Sequence, residues 1–357
     1  MIHVYNSTEF YKKLRLIDSL VSDKLFTDIC LDVDNAGNLV AYKHTSHAYG
    51  EIEFDKKICE GQSESHLIIT TTKPLEFLRD EYSIENKESF VLIQHDSGKI
   101  QINKKSVDTN GRLKFDGEFA QFDPTVALSV LWSIGKPDSI DNTIYLNDNK
   151  FLVTNRVSMA SARAVEAPDE LKGKYGILVD YQNLLKLANG ICFDEVGKFA
   201  WFRLPDGLFR VNLTQKPDIC SYVIGLARSL EPSASFSVSK RSLIVALSRL
   251  SGVVDLNRFD GIAFVVSELG LTLYTPETET GSVREILPVT NAVGSIDISL
   301  SLSRLKDMVS SSDTEEITIH HFISTEPKGE FIGIFPYNGD AEFYLPPISS
   351  SWRTKNV

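Results

Sequence analysis

Four of the seven histidines stand in close pairs, the arrangement in this sequence that comes nearest to a metal-binding or catalytic site. His44 and His47 are separated by two residues, and His320 and His321 are adjacent. A zinc site needs at least three protein ligands, and neither pair has a clear third ligand nearby in the sequence. Adjacent side chains of a strand also face opposite sides, so His320 and His321 cannot share a ligand. We therefore expect no metal site and no cofactor.

Other catalytic signatures are missing from the sequence. It contains no glycine-rich phosphate loop, no G-x-S-x-G elbow, and no cysteine with an obvious histidine partner. The four cysteines are scattered singles without a CxxC pair, as expected for reduced thiols. No stretch approaches the roughly 18 apolar residues of a membrane span. We expect a cytoplasmic protein that is not an enzyme.

The composition describes an ordinary globular protein with an acidic surface. The 357 residues include 42% hydrophobic and 24% charged residues, and the chain is long enough for two or three domains with full cores. The net charge of −11 argues against a generally basic nucleic-acid binder. A localised basic surface is compatible with it.

Residues 239–275 combine the signals of a helix and of a hairpin. Leu243, Leu247 and Leu250 recur at helical spacing, which predicts one buried helix face. Residues 261–275 then alternate between branched and polar side chains around a short polar turn, which predicts two antiparallel strands. The stretch therefore predicts a helix followed by a hairpin.

The same pattern begins three times along the chain. The predicted first helices start near residues 8, 124 and 239, so their starts are 116 and 115 residues apart. A repeat of two helices and several strands describes an α+β domain whose helices cover an antiparallel sheet. The short, partly apolar junctions predict three abutting domains, at 1–121, 122–229 and 230–347, with a C-terminal tail at 348–357.

Four segments resemble a known family. They are PDICSYV (217–223), RFDGIAFVVSELGLTLYTPETETGSVREILPV (258–289), KFLVTNRVSMASARAV (150–165) and ILVDYQNLLKLANG (177–190). Together they are similar to the bacterial DNA sliding clamp, the beta subunit of DNA polymerase III. The predicted first domain matches the family only in the order of its elements, and this divergence suggests a phage-encoded member.

The resemblance implies a fold, an assembly and a function. The fold would consist of three tandem DNA-clamp domains, each with antiparallel sheets outside and two helices lining a central channel. Two chains would join head to tail into a homodimeric ring. The ring would encircle double-stranded DNA without sequence preference and tether the replicative DNA polymerase. An ATP-dependent clamp loader would open it.

The resemblance also implies that the helices carry the DNA contacts. The predicted helices at 7–22, 73–82, 124–135, 180–189, 239–250 and 301–309 together carry a net charge of +4, which leaves −15 on the rest. A few such cations suit sliding, because they contact phosphates without reading bases. Helices of any soluble protein carry Lys and Arg, so the surplus alone fits ordinary solvated faces equally well. The candidate DNA contacts are Lys12, Lys13, Arg15, Arg79, Lys136, Lys186, Lys240, Arg241, Arg249, Arg304 and Lys306.

Two further surfaces follow from the resemblance. The family's pocket for partner peptides corresponds to Thr154, Arg156, Val157, Ser158, Met159, Ile224, Tyr344, Leu345, Pro346 and Pro347. Its glycine–histidine–arginine loop is replaced here by 156–158, and the tail extends past the usual chain end. The family's dimer interface corresponds to Leu113, Phe115, Val253 and Val254, each of which fits ordinary core equally well.

One alternative of a different class stays open from the sequence. A protein with the clamp fold could act as a scaffold for protein interactions without encircling DNA, because fold does not determine function. Clustering of the helical cations on one surface would favour the clamp over the scaffold.

Overall fold

A computed structural model of the chain describes two compact units, one formed by 1–122 and 183–213 and the other by 123–182 and 214–357. The structure describes residues 1–21, 28–33, 37–62, 65–104, 111–133, 142–147, 149–154, 158–215, 225, 227–254, 260–276, 281–325, 328–335 and 341–348. We call the two bodies unit 1 and unit 2. None of the helices in these ranges is long and apolar enough to span a membrane.

Unit 1 contains two antiparallel sheets, one of five strands in the order β5-β1-β7-β8-β9 and one of eight in the order β10-β15-β16-β17-β4-β3-β2-β6. Its strands are β1 (Ile2–Val4), β2 (Ile29–Val33), β3 (Leu39–His44), β4 (Ala48–Glu53), β5 (Cys59–Gly61), β6 (Ser65–Ile69), β7 (Tyr82–Asn86), β8 (Phe90–His95), β9 (Gly98–Asn103), β10 (Ala120–Gln121), β15 (Gly190–Asp194), β16 (Phe199–Leu204) and β17 (Gly207–Asn212). The α+β class predicted from the sequence is confirmed.

Unit 2 has the same kind of architecture. A ten-stranded sheet runs in the order β18-β14-β11-β12-β13-β27-β26-β25-β19-β23, and a four-stranded sheet in the order β22-β21-β20-β24. The strands are β11 (Thr143–Asn147), β12 (Lys150–Thr154), β13 (Met159–Arg163), β14 (Tyr175–Leu178), β18 (Thr214–Gln215), β19 (Ala234–Ser239), β20 (Gly261–Ser267), β21 (Gly270–Tyr274), β22 (Arg284–Leu287), β23 (Thr290–Val293), β24 (Ile296–Ser301), β25 (Glu316–Thr325), β26 (Lys328–Ile334) and β27 (Ala341–Leu345).

The described helices follow the predicted repeat. They are α1 (Ser7–Leu20), α2 (Pro124–Val130), α3 (Gln182–Leu187), α4 (Lys240–Ser251) and α5 (Leu302–Ser311), with 3-10 turns at Lys73–Phe77, Leu131–Ser133 and Val179–Tyr181. The first helices of the three repeats, α1, α2 and α4, each precede an antiparallel strand pair. The tandem helix-and-hairpin pattern predicted from the sequence is therefore confirmed.

Helix α4 forms as the sequence predicts. Leu243, Leu247 and Leu250 are buried on one face, and the Ser239 hydroxyl accepts the backbone N–H of Ser242 at the helix N-terminus. Such a cap satisfies one of the N–H groups that a helix cannot pair internally. At 261–274 the chain then pairs β20 with β21, so the predicted hairpin is also present.

Two predicted elements are wrong. The helix expected at 73–82 is a single 3-10 turn over Lys73–Phe77, and Tyr82 already begins β7. Pairing of β7 with both β1 and β8 draws Tyr82 and the residues that follow it into a sheet. The alternating residues 111–115 predict a further strand. No strand forms there, because this segment crosses the eight-stranded sheet without joining it.

Both large sheets join strands of different predicted domains. In unit 1, β4 pairs with β17, with Gly50 opposite Phe209. In unit 2, β13 pairs with β27, with Met159 opposite Tyr344. The middle stretch 122–229 thus contributes strands to both units. The division into three domains stays a prediction.

Candidate functional site

The paired histidines have separate structural environments. His44 donates from Nε2 to the carbonyl of Gly111 at 3.0 Å, and burial lowers its pKa. The His321 ring contacts Ser233 Oγ through Nδ1 at 2.9 Å and Glu330 Oε1 through Nε2 at 2.8 Å. His320 lies against the ring of Phe335 instead, with centroids 5.4 Å apart. Within the described ranges, no group of three His, Cys, Asp or Glu side chains is arranged to hold a metal.

Three of the predicted DNA contacts lie on exposed helix surface. The side chains of Lys12 and Arg15 on α1 are 67% and 52% exposed. Each has an acidic neighbour one turn away, because Lys12 Nζ is 3.6 Å from Glu9 and Arg15 Nη1 is 3.2 Å from Asp18. Such exposed pairs are weak and can open to accept a phosphate. Arg241 on α4 is also exposed and forms no ion pair within the described part of the chain.

Three other predicted contacts are already used inside the protein. Lys13 is buried, 3.2 Å from Asp206 and 3.3 Å from the carbonyl of Glu53, so its prediction as a DNA contact is corrected to a structural role. Lys240 donates to the carbonyls of Ser310 and Ser312 at the end of α5, where a cation also complements the helix dipole. Arg304 donates from Nη1 to the carbonyl of Trp132 at 2.9 Å.

The remaining cations have intermediate positions. Arg249 on α4 lies 3.2 Å from Glu285 of β22. Lys186 on α3 and Lys306 on α5 are partly exposed. Arg79 is exposed but follows the 3-10 turn instead of lying in a helix. Lys136 lies outside the described residues.

The predicted peptide pocket maps to the ten-stranded sheet of unit 2. Thr154 pairs with Met159 across β12 and β13, and Met159 pairs with Tyr344 across β13 and β27. Thr154 Oγ1 donates to the carbonyl of Ser158 at 3.0 Å, which links the end of β12 to the residue before β13. The sheet thus brings the two distant halves of the predicted site together. Arg156, Val157 and Ile224 lie outside the described residues.

The described residues of the predicted peptide pocket are mostly buried. Met159, Tyr344 and Leu345 are 6%, 3% and 0% exposed, and Pro346 and Pro347 are half-buried. Met159 and Tyr344 belong to an apolar cluster together with Tyr145, Leu152 and Ala227. Partly buried rings of Phe331 and Phe335 continue this cluster, and the prediction from the sequence missed them. Phe331 lies on β26 and Phe335 directly follows it, and their spacing of four residues was the available signal.

A buried carboxylate anchors the chain that packs on this cluster. Glu342 on β27 accepts from Arg228 Nη2 at 2.6 Å and from Nε at 3.0 Å, and Lys150 Nζ lies 3.4 Å away. The hydrogen bond to Glu342 raises the pKa of Arg228 above its ordinary value. Ala227, next to Arg228, is buried in the cluster. The ion pair therefore holds Ala227 and Arg228 against this cluster.

The predicted interface residues of the first repeat pack against a core cluster of unit 1. Phe115 packs within unit 1, with its ring 5.0 Å from Trp201 and 4.3 Å from Phe119, and Leu113 packs on the same cluster. Neither lies on a strand, and this location argues against the predicted role of Leu113 and Phe115 in a dimer interface. The predicted interface residues of the third repeat follow α4 after its C-cap Gly252, and there Val254 is buried and Val253 is half-buried.

Two of the strands that end a sheet have outer edges without a partner strand among the described residues. β9 ends the five-stranded sheet of unit 1, and β22 ends the four-stranded sheet of unit 2. Among the described residues, no strand pairs with the outer side of either one. Ile286 of β22 is 54% exposed, a large exposure for an apolar strand residue. Unpaired edges with apolar side chains invite pairing with another chain.

The repeated helix-and-hairpin pattern and the two large composite sheets define the fold of the DNA sliding clamps. The solved clamp of Bacillus subtilis superposes with a TM-score of 0.81 at 14% identity, over 98% of this chain and 99% of that chain. The DNA polymerase III beta chain of Streptococcus pneumoniae gives 0.78 at 14% identity, over 98% and 100%. The Bartonella birtlesii clamp bound to griselimycin gives 0.74 at 16%, also over 98% and 100%.

These likenesses concern the fold, at an identity too low to carry residue roles. No protein-family model matches the sequence, and no curated protein matches it. The chain is similar to bacterial clamps from end to end, and the clamp fold expected from the four sequence segments is confirmed.

Proposed function

We propose that this protein is a DNA sliding clamp, a processivity factor without catalysis of its own that tethers a DNA polymerase to duplex DNA. The observation that carries the proposal is the end-to-end correspondence with solved clamps, 98% of this chain against 99% of the Bacillus subtilis clamp. Because fold alone does not determine function, the proposal also depends on surfaces suited to that task.

The DNA surface in this proposal consists of helical cations that are exposed or partly exposed, two of which form only weak ion pairs within their own helix. Lys12, Arg15 and Arg241 are exposed and can reach a phosphate. Lys186 and Lys306 are partly exposed and complete the set. A small number of such contacts gives sequence-independent binding that does not fix the protein on particular bases. The acidic remainder of the chain would repel DNA from other surfaces.

The assembly in this proposal is a head-to-tail homodimer. Strand β9 of one copy would pair with β22 of the other, and the reciprocal contact would close the ring. Lys99 and Gln101 alternate with Ile100 and Ile102 along β9, so an added strand would extend a sheet that is apolar on one face. The three-domain division at 1–121, 122–229 and 230–347 is part of the proposal.

The partners in this proposal are a DNA polymerase and an ATP-dependent clamp loader. Both would bind through a short peptide at the sheet where Thr154, Met159 and Tyr344 meet. Since the described residues there are buried, we propose that the peptide displaces neighbouring chain instead of entering an open cavity.

Topological retention on DNA tests the proposed function. A linear duplex fixed to a bead at one end is incubated with the protein, and its free end is then blocked with streptavidin. A ring should stay bound in roughly 1 M salt, where simple phosphate contacts are broken, and should leave after a restriction cut. On DNA whose two ends are blocked before the protein is added, no salt-resistant binding should occur. Equal, salt-sensitive binding to both DNAs would contradict the ring and favour the scaffold.

A further inference from the structure

One ion pair connects the most basic described helix to an open strand edge. Arg249 lies in the last turn of α4, and its Nη1 donates to Glu285 Oε1 at 3.3 Å and to Oε2 at 3.2 Å. Glu285 belongs to β22, which α4 packs against. The side chain of Arg249 is 63% exposed and that of Glu285 is 18% exposed. The pair therefore joins a nearly covered carboxylate to a largely exposed cation.

The alternation of β22 explains why this carboxylate is covered. Leu287 is 8% exposed while Ile286 is 54% exposed, so the strand has one covered and one open face. Glu285 lies on the covered face together with Leu287, because side chains two residues apart share a face. Within the described residues, Glu285 has Arg249 as its ion-pair partner. A carboxylate that is mostly shielded from water needs a cation or a hydrogen-bond donor beside it to remain in that position.

We propose that Arg249 is a positioning residue for chain assembly, which holds β22 in the place and register needed to pair with a second copy. This inference rests on the proposed function, in which β22 is one half of the dimer contact. It replaces the prediction that Arg249 acts chiefly as a DNA contact. Glu285 is the other member of the positioning pair.

The three cations of α4 then have three different roles. Lys240 caps the end of α5, and Arg249 holds β22. Arg241 is exposed and forms no ion pair in the described part of the chain, so it can contact phosphate. Arg241 is therefore a matched control for Arg249, because both are arginines on the same helix.

Loss of the pair should weaken the dimer more than the fold. Without Arg249, the Glu285 carboxylate must turn toward water, and β22 loses its anchor to α4. Exposed ion pairs contribute little, but a mostly covered group left without its partner costs more. We expect the dimer dissociation constant of R249Q to rise about threefold to tenfold. R249K should recover most of this loss because it restores the charge.

Four variants test the proposal: R249Q, E285Q, the double variant and R241Q. Dimer dissociation constants come from subunit exchange between two fluorescently labelled pools, and circular dichroism verifies folding. R249Q and E285Q should each raise the dimer dissociation constant. The double variant should raise it no further than the more damaging of the two single variants. R241Q should leave the dimer constant unchanged and lower the salt slope of DNA binding by about 0.9 for each phosphate that the variant no longer binds.

The opposite results are equally specific. If R249Q dimerises like the wild type and loses DNA affinity like R241Q, Arg249 is a DNA contact and the positioning role is wrong. Additive losses in the double variant would show that the two residues act separately. A wild-type protein that is monomeric at every concentration would instead overturn the proposed ring itself, and with it this role of Arg249.

Discussion

Lys240 and Arg241 are neighbours on α4 and have different environments. The ammonium of Lys240 lies over the last carbonyls of α5, whereas the guanidinium of Arg241 is exposed. Lys12 and Lys13 on α1 differ in the same way, since only the second is buried against Asp206. Counting cations along a helix therefore overestimates the charge available to DNA. The contacts that each cation makes within the protein determine whether it remains available to bind DNA.

The capping role of Lys240 predicts a loss of stability with little change in DNA binding. In K240M the carbonyls of Ser310 and Ser312 lose a charged donor, which should lower the free energy of unfolding by about 1 kcal/mol. Urea denaturation measures this change. The R241M variant is the control and should show the reverse pattern, with stability retained and DNA affinity reduced. A K240M protein of normal stability would contradict the capping role.

His320 predicts an acid sensitivity of unit 2. Burial against Phe322 and Phe335 lowers the pKa of His320 below its ordinary value of 6.5. The neutral ring is therefore favoured in the fold, and its contribution to stability is complete above about pH 6.5. As the pH falls from 6.5 toward the folded pKa, the unfolded chain takes up the proton first and stability decreases.

The variant H320F should remove this part of the pH dependence. Phenylalanine keeps the aromatic packing, and the buried Nδ1, which has no hydrogen-bond partner in the described residues, disappears. Between pH 6.5 and 5, the stability of H320F should therefore fall less steeply than that of the wild type. The control variant is H47Q, a substitution at an exposed histidine. Parallel curves for H320F and wild type would refute the assignment.

At the scale of elements, the segment 111–119 is the clearest departure from the sequence-based prediction. It is held across the sheet by Arg112, whose Nε is 3.2 Å from Glu51, and by the carbonyl of Gly111, which accepts from His44. Phe115 then covers Trp201. The segment therefore stabilises unit 1 as a covering strap.

This role of the strap predicts a stability effect without an assembly effect. F115A removes a half-buried ring that packs on Trp201 and Phe119, and should lower the stability of unit 1 by about 2 kcal/mol. The dimer constant should stay unchanged because the strap lies on no strand edge. K114A, at the exposed neighbouring position, should change neither quantity. Weaker dimerisation of a stably folded F115A protein would restore the interface interpretation.

The sequence predicted individual helices and hairpins well, but it predicted poorly which distant segments pack against them. Helix α4 and the β20–β21 hairpin were predictable, because a helical apolar face and a short turn are signals within one segment. The strap was mistaken for a strand because alternating residues look the same whether the partner is a strand or the face of a sheet. The burial of Lys13 was also unpredictable, since Asp206 is nearly 200 residues away along the chain. The two halves of the predicted pocket do lie next to each other, on β13 and β27. This proximity was predicted from the resemblance to a family and not from a local pattern.

At the scale of the whole molecule, two sheets end in strands whose outer edges have no partner in the described chain. β9 lies in unit 1 and β22 in unit 2, so the two edges belong to different bodies. A heterologous pairing of one with the other, repeated in the second copy, closes a two-fold ring. The alternative, continued pairing from copy to copy, would give open filaments. Closure therefore depends on both edges having the correct geometry.

Ile286 offers the most direct test of this closure. Its side chain is 54% exposed on β22, so I286D should fold with little loss of stability while placing a charge in the proposed contact. We expect a dimer weakened by at least about tenfold, seen by analytical ultracentrifugation, and loss of salt-resistant retention on DNA. L269D is the matched control, because Leu269 is 81% exposed in the turn between β20 and β21 of the same sheet. If I286D and L269D both dimerise like the wild type, β22 is not the contact. Retention of I286D on DNA as a monomer would mean that the chain holds DNA without closing a ring.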